Sequence, residues 1–129
     1  MIEITEPFNP LMQLYRQEAG VTAQQFRRKA LTQPLETLWA MYKDQLNIDH
    51  KAIDAALQQE LNSIRLFPET IEVLTKLRPS YTLYLISNLA TPYIKPYQEL
   101  KLDRFFEQAI FSCEVGFVKP EQAIFDLIP

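Results

Sequence analysis

Tyr81-Thr82-Leu83-Tyr84-Leu85-Ile86 runs without a charge or a proline straight into Ser87-Asn88. A short apolar run bounded by turn chemistry predicts a strand buried on both faces, as in a parallel sheet. The small polar pair then falls at the carboxyl end of that strand, where open α/β sheets receive their ligands. Thirty-two residues after Ser87 stands Lys119-Pro120, behind a second strand-like run at 108–112. The functional residues that the sequence singles out lie between Ser87 and Lys119.

The chain upstream has helical periodicity. Met1 to Pro7 is too short and polar to be ordered alone. Asn9-Pro10 supplies an N-cap and a first-turn proline for a helix that places Leu11, Leu14, Tyr15 and Ala19 on one face and stops at Gly20. Thr22 caps a second helix with Ala23, Phe26, Ala30 and Leu31 inward, and its Arg27-Arg28-Lys29 run reads as a solvated face rather than an anion site. Pro34 opens a third, with the stripe Leu35, Leu38, Trp39, Tyr42 and Leu46. Asp49 caps a fourth, with Ile53, Ala56, Leu57, Leu61 and Ile64 on its buried side. Short connections make residues 9–65 a compact four-helix unit. His50 has no second ligand at metal spacing and reads as a surface residue.

Pro68 begins a further helix bearing Ile71, Leu74 and Leu77 and ended by Pro79. Strand 81–86 follows, then a helix over 91–101 whose start Pro96 makes irregular. Strand 108–112 comes next, then Gly116, then a last helix from Pro120 through Ile128. Helix and strand alternating in this way predict a parallel βαβ unit with a right-handed crossover.

Composition narrows the function classes. A chain of 129 residues with 47% hydrophobic and 22% charged residues suits one globular domain with a core. A net charge of -3 gives no basic footprint for nucleic acid. The absence of a membrane-length apolar run or a signal-peptide pattern at Met1 leads to the expectation of a cytoplasmic protein. One cysteine, Cys113, fits a reducing compartment. Only two glycines occur, Gly20 and Gly116, far below the roughly 7% of average usage. Sites that cradle phosphate usually take glycine for close backbone approach.

Taken alone, Ser87-Asn88 is more often turn and capping chemistry than catalysis, and a lysine before proline is usually an exposed charge. Their order changes the reading. Leu66-Phe67-Pro68-Glu69-Thr70, a helix, Leu83-Tyr84-Leu85-Ile86-Ser87-Asn88, a helix, Phe111-Ser112-Cys113-Glu114-Val115-Gly116, then Lys119-Pro120-Glu121-Gln122-Ala123-Ile124-Phe125 resembles the haloacid dehalogenase (HAD) superfamily over residues 66–128. Residues 9–65 are similar to the helical cap that such proteins insert after their first core strand. The resemblance implies that Ser87 hydrogen-bonds a phosphoryl oxygen, that Asn88 helps shape the anion pocket, and that Lys119 is the fixed cation of the site. It implies an aspartyl-phosphate mechanism with magnesium on a small phosphorylated or halogenated substrate.

The sequence departs from that pattern in the chemistry. The family's nucleophile is the first aspartate of an Asp-x-Asp pair ending an apolar strand, and no Asp-x-Asp occurs here. Asp44, Asp49, Asp54, Asp103 and Asp126 all fall in helical or turn contexts. The acidic motif expected after the last helix is absent too. No aspartyl intermediate can form without its carboxylate, and magnesium wants carboxylates and water in octahedral array. The expectation is therefore an α/β, helix-dominated fold: a helical cap-like unit at 1–66 and a truncated Rossmann-like core at 67–129 with about two parallel strands. The expected function is an interior piece of a HAD-like hydrolase of the phosphatase class, with Ser87, Asn88 and Lys119 as its site, no metal ligands of its own and no catalysis alone. Two alternatives stand beside it. One is a 2-haloacid dehalogenase-like hydrolase, which needs no metal but needs the same aspartate. The other is a non-catalytic interaction module that pairs through the exposed edge of strand 81–86, as a homodimer for instance.

Overall fold

The structure, a computed structural model, describes residues 2–4, 23–42 and 49–129. The helix expected from Asn9 to Gly20, the cap expected at Thr22, and Asp44 and Leu46 lie outside the described residues, as do the side chains of Phe26 and His50. Three helices come first: α1 (Ala23–Thr32), α2 (Leu35–Tyr42) and α3 (His50–Asn62). Pro34 opens α2 as its position suggests, its carbonyl accepting from Thr37 N and Leu38 N. Asp49 caps α3, its Oδ1 accepting from Lys51 N at 3.1 Å and Ala52 N at 3.3 Å. The stripe residues Leu35, Leu38, Ile53, Leu57 and Leu61 are buried, Leu38 completely.

Helix α3 ends before the expected stripe does. Ser63 folds its hydroxyl back onto Glu60 O at 2.7 Å, and its own N–H caps the same turn. Ile64 therefore leaves the helix and opens a strand, β2 (Ile64–Leu66), paired antiparallel with β1 (Ile2–Ile4). Residues 2–4, within a segment too short and polar to be ordered alone, take their order from β2: Ile2 pairs with Leu66 and Ile4 with Ile64. An apolar residue at the end of a helical stripe cannot be told from a strand residue by periodicity.

Helix α4 (Thr70–Leu77) follows, beginning two residues after Pro68, and then β3 (Tyr84–Ser87). The strand is shorter than the expected 81–86 at its start. Ser80 N and Tyr81 N still donate to Leu77 O, so the helix end holds this backbone, and Tyr81 is 64% exposed. A 3-10 turn at Thr91–Tyr93 leads into α5 (Ile94–Glu99), the irregular start that Pro96 implied. A second 3-10 turn at Leu102–Phe105 returns the chain to β4 (Gln108–Phe111). Strands β3 and β4 are parallel, in register from Tyr84 opposite Gln108 to Ser87 opposite Phe111. The Glu107 N–H to Leu83 O bond, at 2.8 Å, extends the ladder by one rung. Among the described residues each sheet has two strands, and the fold is α/β with helix dominant.

Leu74, Leu102 and Phe105 form a core beneath the parallel pair, with Leu66, Ile71, Leu83, Leu100 and Phe106 packed on it. Tyr97 from α5 meets Phe111 edge to face, ring centroids 5.1 Å apart. Ser112 leaves β4 to start α6 (Ser112–Val115), so the strand stops one residue short of expectation. Gly116 ends α6 at φ 81, a left-handed conformation that suits glycine, and a Cβ there would stand 3.8 Å from the Thr32 carbonyl of α1. The last helix, α7 (Gln122–Phe125), is shorter than the expected 120–128 and leaves Pro120 outside it. Among the described residues no helix is long and apolar enough to cross a membrane.

Candidate functional site

Ser87 sits half-buried at the carboxyl end of β3, and its hydroxyl makes no hydrogen bond to a described residue. The loop behind it is strapped down from β4. Ser112, completely buried, accepts from Leu89 N at 3.0 Å and donates to Leu89 O at 3.3 Å. One hydroxyl thus holds both polar groups of a single peptide residue, and the backbone after Ser87 is fixed to the neighbouring strand end.

Asn88 brings the second sequence element to the first. Its Nδ2 donates to Lys119 O at 3.1 Å, and Lys119 N donates back to its Oδ1 at 2.8 Å. The two-way pattern is that of a residue pair in an antiparallel sheet, supplied here by a side-chain amide. The amide of Asn88, expected to help shape an anion pocket, bonds the Lys119 backbone at both of its polar atoms. The Lys119–Pro120 peptide is cis. The Lys119 side chain is exposed and forms no ion pair with a described residue.

Glu121 closes the turn that carries Lys119. Its Oε1 accepts from Val118 N at 2.8 Å and its Oε2 from Arg28 Nη2 at 3.1 Å. The Val118 N–H, and after it the Arg28 guanidinium, hold the Glu121 carboxyl below the usual carboxylate range. Arg28 stays on the exposed face expected of the Arg27-Arg28-Lys29 run and from there ties α1 to the Lys119 turn. Two further polar contacts join the first three helices to the segment after Ser87. Thr91 Oγ1 accepts from Leu35 N at 3.1 Å, capping the start of α2 from outside. Tyr93 Oη donates to Glu60 Oε2 at 2.7 Å. Burial raises the Glu60 carboxyl, with the Tyr93 bond opposing, and burial together with Glu60 pushes the Tyr93 phenol far up.

The described donors around Ser87 and Lys119 do not by themselves suit magnesium. Among the described residues no three of His, Cys, Asp and Glu come together as metal ligands. The acid nearest in sequence, Glu121, already accepts a backbone N–H and a guanidinium. Asp49 caps α3, Asp54 lies within it, Asp103 lies in a 3-10 turn and Asp126 follows α7, so no described aspartate ends a strand. Cys113, next to Ser112 in α6, is buried, and burial followed by Glu114 pushes its thiol up to about 11.

Ser87 and Lys119 were visible in the sequence, whereas Glu121, Ser112 and Thr91 were not. Each of the three acts through a hydroxyl or carboxylate on backbone N–H groups. The signal for Glu121 is its spacing: an acid three residues after the N–H it accepts is the geometry of a capping turn.

No family model matches the chain, and no curated protein matches it. Solved structures do. The crystal structure of a HAD family enzyme from Bacteroides thetaiotaomicron, wild-type and in complex with magnesium and inorganic phosphate, superposes with a TM-score of 0.63 and 21% identity, covering 99% of this chain and 71% of that chain. An aspartate-to-alanine mutant of that enzyme, again with magnesium and inorganic phosphate, gives 0.63 at 22% identity. A further structure of it gives 0.61 at 22%. The chain thus has the α/β fold of a HAD family enzyme.

Proposed function

We propose that this chain is a HAD-like hydrolase scaffold of the phosphatase class that keeps the anion-anchoring part of the site. In this reading residues 1–66 serve as the helical cap and 67–129 as a partial core. Ser87 donates its hydroxyl to a phosphoryl oxygen, and Lys119 offsets the charge of the phosphoryl group. Asn88 acts indirectly, by fixing the backbone that presents Lys119. A phosphoryl group in transfer spreads negative charge over its oxygens, so a donor and a cation held in place are what such a site needs. The observation that carries the reading is the two-way bond between Asn88 and Lys119, which locks two distant motifs together at the carboxyl end of β3.

The same reading gives the chain anion binding without turnover. Among the described residues no carboxylate is placed to form a covalent intermediate, and positioning alone does not replace it. The same absence among the described residues counts against a 2-haloacid dehalogenase-like reaction. The test has two arms. Inorganic phosphate binding, followed by amide shifts at 87–89 and 118–120, should weaken in Ser87→Ala and Lys119→Ala. Hydrolysis of p-nitrophenyl phosphate with magnesium should stay at the level of the doubly substituted control. Phosphate shifts that both substitutions leave untouched, or magnesium-dependent turnover that they abolish, would overturn it.

The open edge of β3 supports a second reading, an interaction module. Strand β3 has one paired neighbour among the described residues, and its four residues are all half-exposed, although β4 beside it buries Ile110 and Phe111. A second copy adding its own strand along this edge would satisfy it.

A further inference from the structure

A cleft of about 560 Å³ opens between α2, α3 and the 3-10 turn at Thr91 and Pro92, within the size range of small-molecule sites. None of Ser87, Asn88 and Lys119 lines it, so a ligand held there is independent of the phosphoryl reading. Helical spacing explains its walls. Glu36 and Trp39 come up one side of α2 at i and i+3, and Asp54, Leu57 and Gln58 come up one side of α3 at i, i+3 and i+4. Leu57 is buried and presents only an edge, which makes the floor apolar.

Charge decides what fits. Glu36 and Asp54 stand on different helices, line the same cleft, and form no ion pair with a described residue. No lysine or arginine is among the described lining residues. Two carboxylates with no described counter-charge, over an indole and an aliphatic wall, repel an anion and leave a neutral ligand only Gln58 and Thr91. An organic cation satisfies all of them: its ammonium answers the carboxylates and the electron-rich indole face, and its hydrocarbon stem covers the leucine and proline. We propose that this cleft binds a small primary alkylammonium, with Glu36 and Asp54 as its charge partners and Trp39 as its aromatic wall.

Trp39 is the single tryptophan of the chain, so its emission reports on this cleft. The experiment titrates the whole protein with n-hexylammonium, and in parallel with hexanol and hexanoate as stem-matched neutral and anionic probes. Hexylammonium should change Trp39 emission saturably, and the other two should not. The Glu36→Gln, Asp54→Asn double variant should weaken binding by on the order of tenfold. Both residues are exposed, so circular dichroism of the variant should match that of the native chain. Raising ionic strength should weaken hexylammonium binding to the native chain, an arm that needs no variant. Absence of saturation up to about 10 mM hexylammonium, an equal response to hexanol, or binding indifferent to both salt and the double substitution would overturn the proposal.

Discussion

Asn88 and Lys119, 31 residues apart, exchange two hydrogen bonds, Nδ2 to carbonyl at 3.1 Å and N–H to Oδ1 at 2.8 Å. Asn88→Ala deletes both and is expected to cost about 1–3 kcal/mol. Asn88→Asp keeps the acceptor, loses the donor and should cost less. Urea unfolding of the two variants checks the order. If phosphate affinity falls in step, the Lys119 turn owes its placement to that amide.

Glu60 gives the chain a pH dependence with a definite sign. It is 6% exposed, and burial lifts its carboxyl above the ordinary value of 4.5. With the folded pKa above the unfolded one, the folded state binds the proton more tightly. The stabilisation is fully present below the unfolded pKa and is lost as pH rises through the folded one. Glu60→Gln keeps an acceptor for Tyr93 and removes the titration. Its melting temperature relative to the native chain should therefore climb between pH 4 and pH 8; a gap independent of pH would refute the assignment.

Leu38 and Trp39 are adjacent and should behave differently. Leu38 is completely buried, so Leu38→Ala is expected to cost about 2–5 kcal/mol. Trp39 belongs to the same stripe, and on periodicity alone its removal would cost about 3–5 kcal/mol. The indole is half-exposed along a cleft, so Trp39→Ala should cost less than Leu38→Ala. Chemical denaturation of the two variants side by side decides it.

Cys113 should resist alkylation. Its thiol is 3% exposed and is pushed up to about 11, so little thiolate exists near neutral pH. Iodoacetamide at pH 8 should leave the folded chain unmodified and label it fully in urea. Rapid labelling without denaturant would show that α6 opens.

For the edge of β3, sedimentation at rising concentration should reveal a dimer, and Tyr84→Lys should shift it toward monomer by placing a charge on the pairing strand. A native chain that stays monomeric near about 100 μM would remove the strand-pairing reading.

The periodic features of this chain were legible in its sequence, and the reciprocal ones were not. The stripe through Leu38 and the cap at Asp49 are local patterns, and both appear in the structure. The apolar run before Ser87 forms its strand too, but over 84–87 and half-exposed rather than buried on both faces as expected, because among the described residues only β4 pairs with it. Ile64 misled because an apolar residue serves a helix stripe and a strand equally well, and the hydroxyl of Ser63 decides between them. Asn88 was legible in its place but not in its partner. Next to Ser87 it looks like a ligand-facing group, but its partner is a backbone far along the chain, and no spacing rule registers such a contact. Arg28 was hidden in the same way, as one basic residue among three whose partner Glu121 lies across the fold.

Ile4 opposite Ile64 makes a doorway. Facing residues of an antiparallel pair stand about 4.5–5.5 Å apart, so the stretch between them departs and rejoins at nearly one point. Such a stretch can lengthen between the points where Arg28, Leu35 and Glu60 tie it to the rest of the fold. Doubling its length would cost only about 0.6 kcal/mol in closure entropy, and no rung of the parallel ladder from Tyr84 to Ser87 would have to move. The strand pairing that joins Ile4 to Ile64 thus leaves the length of that stretch free to vary.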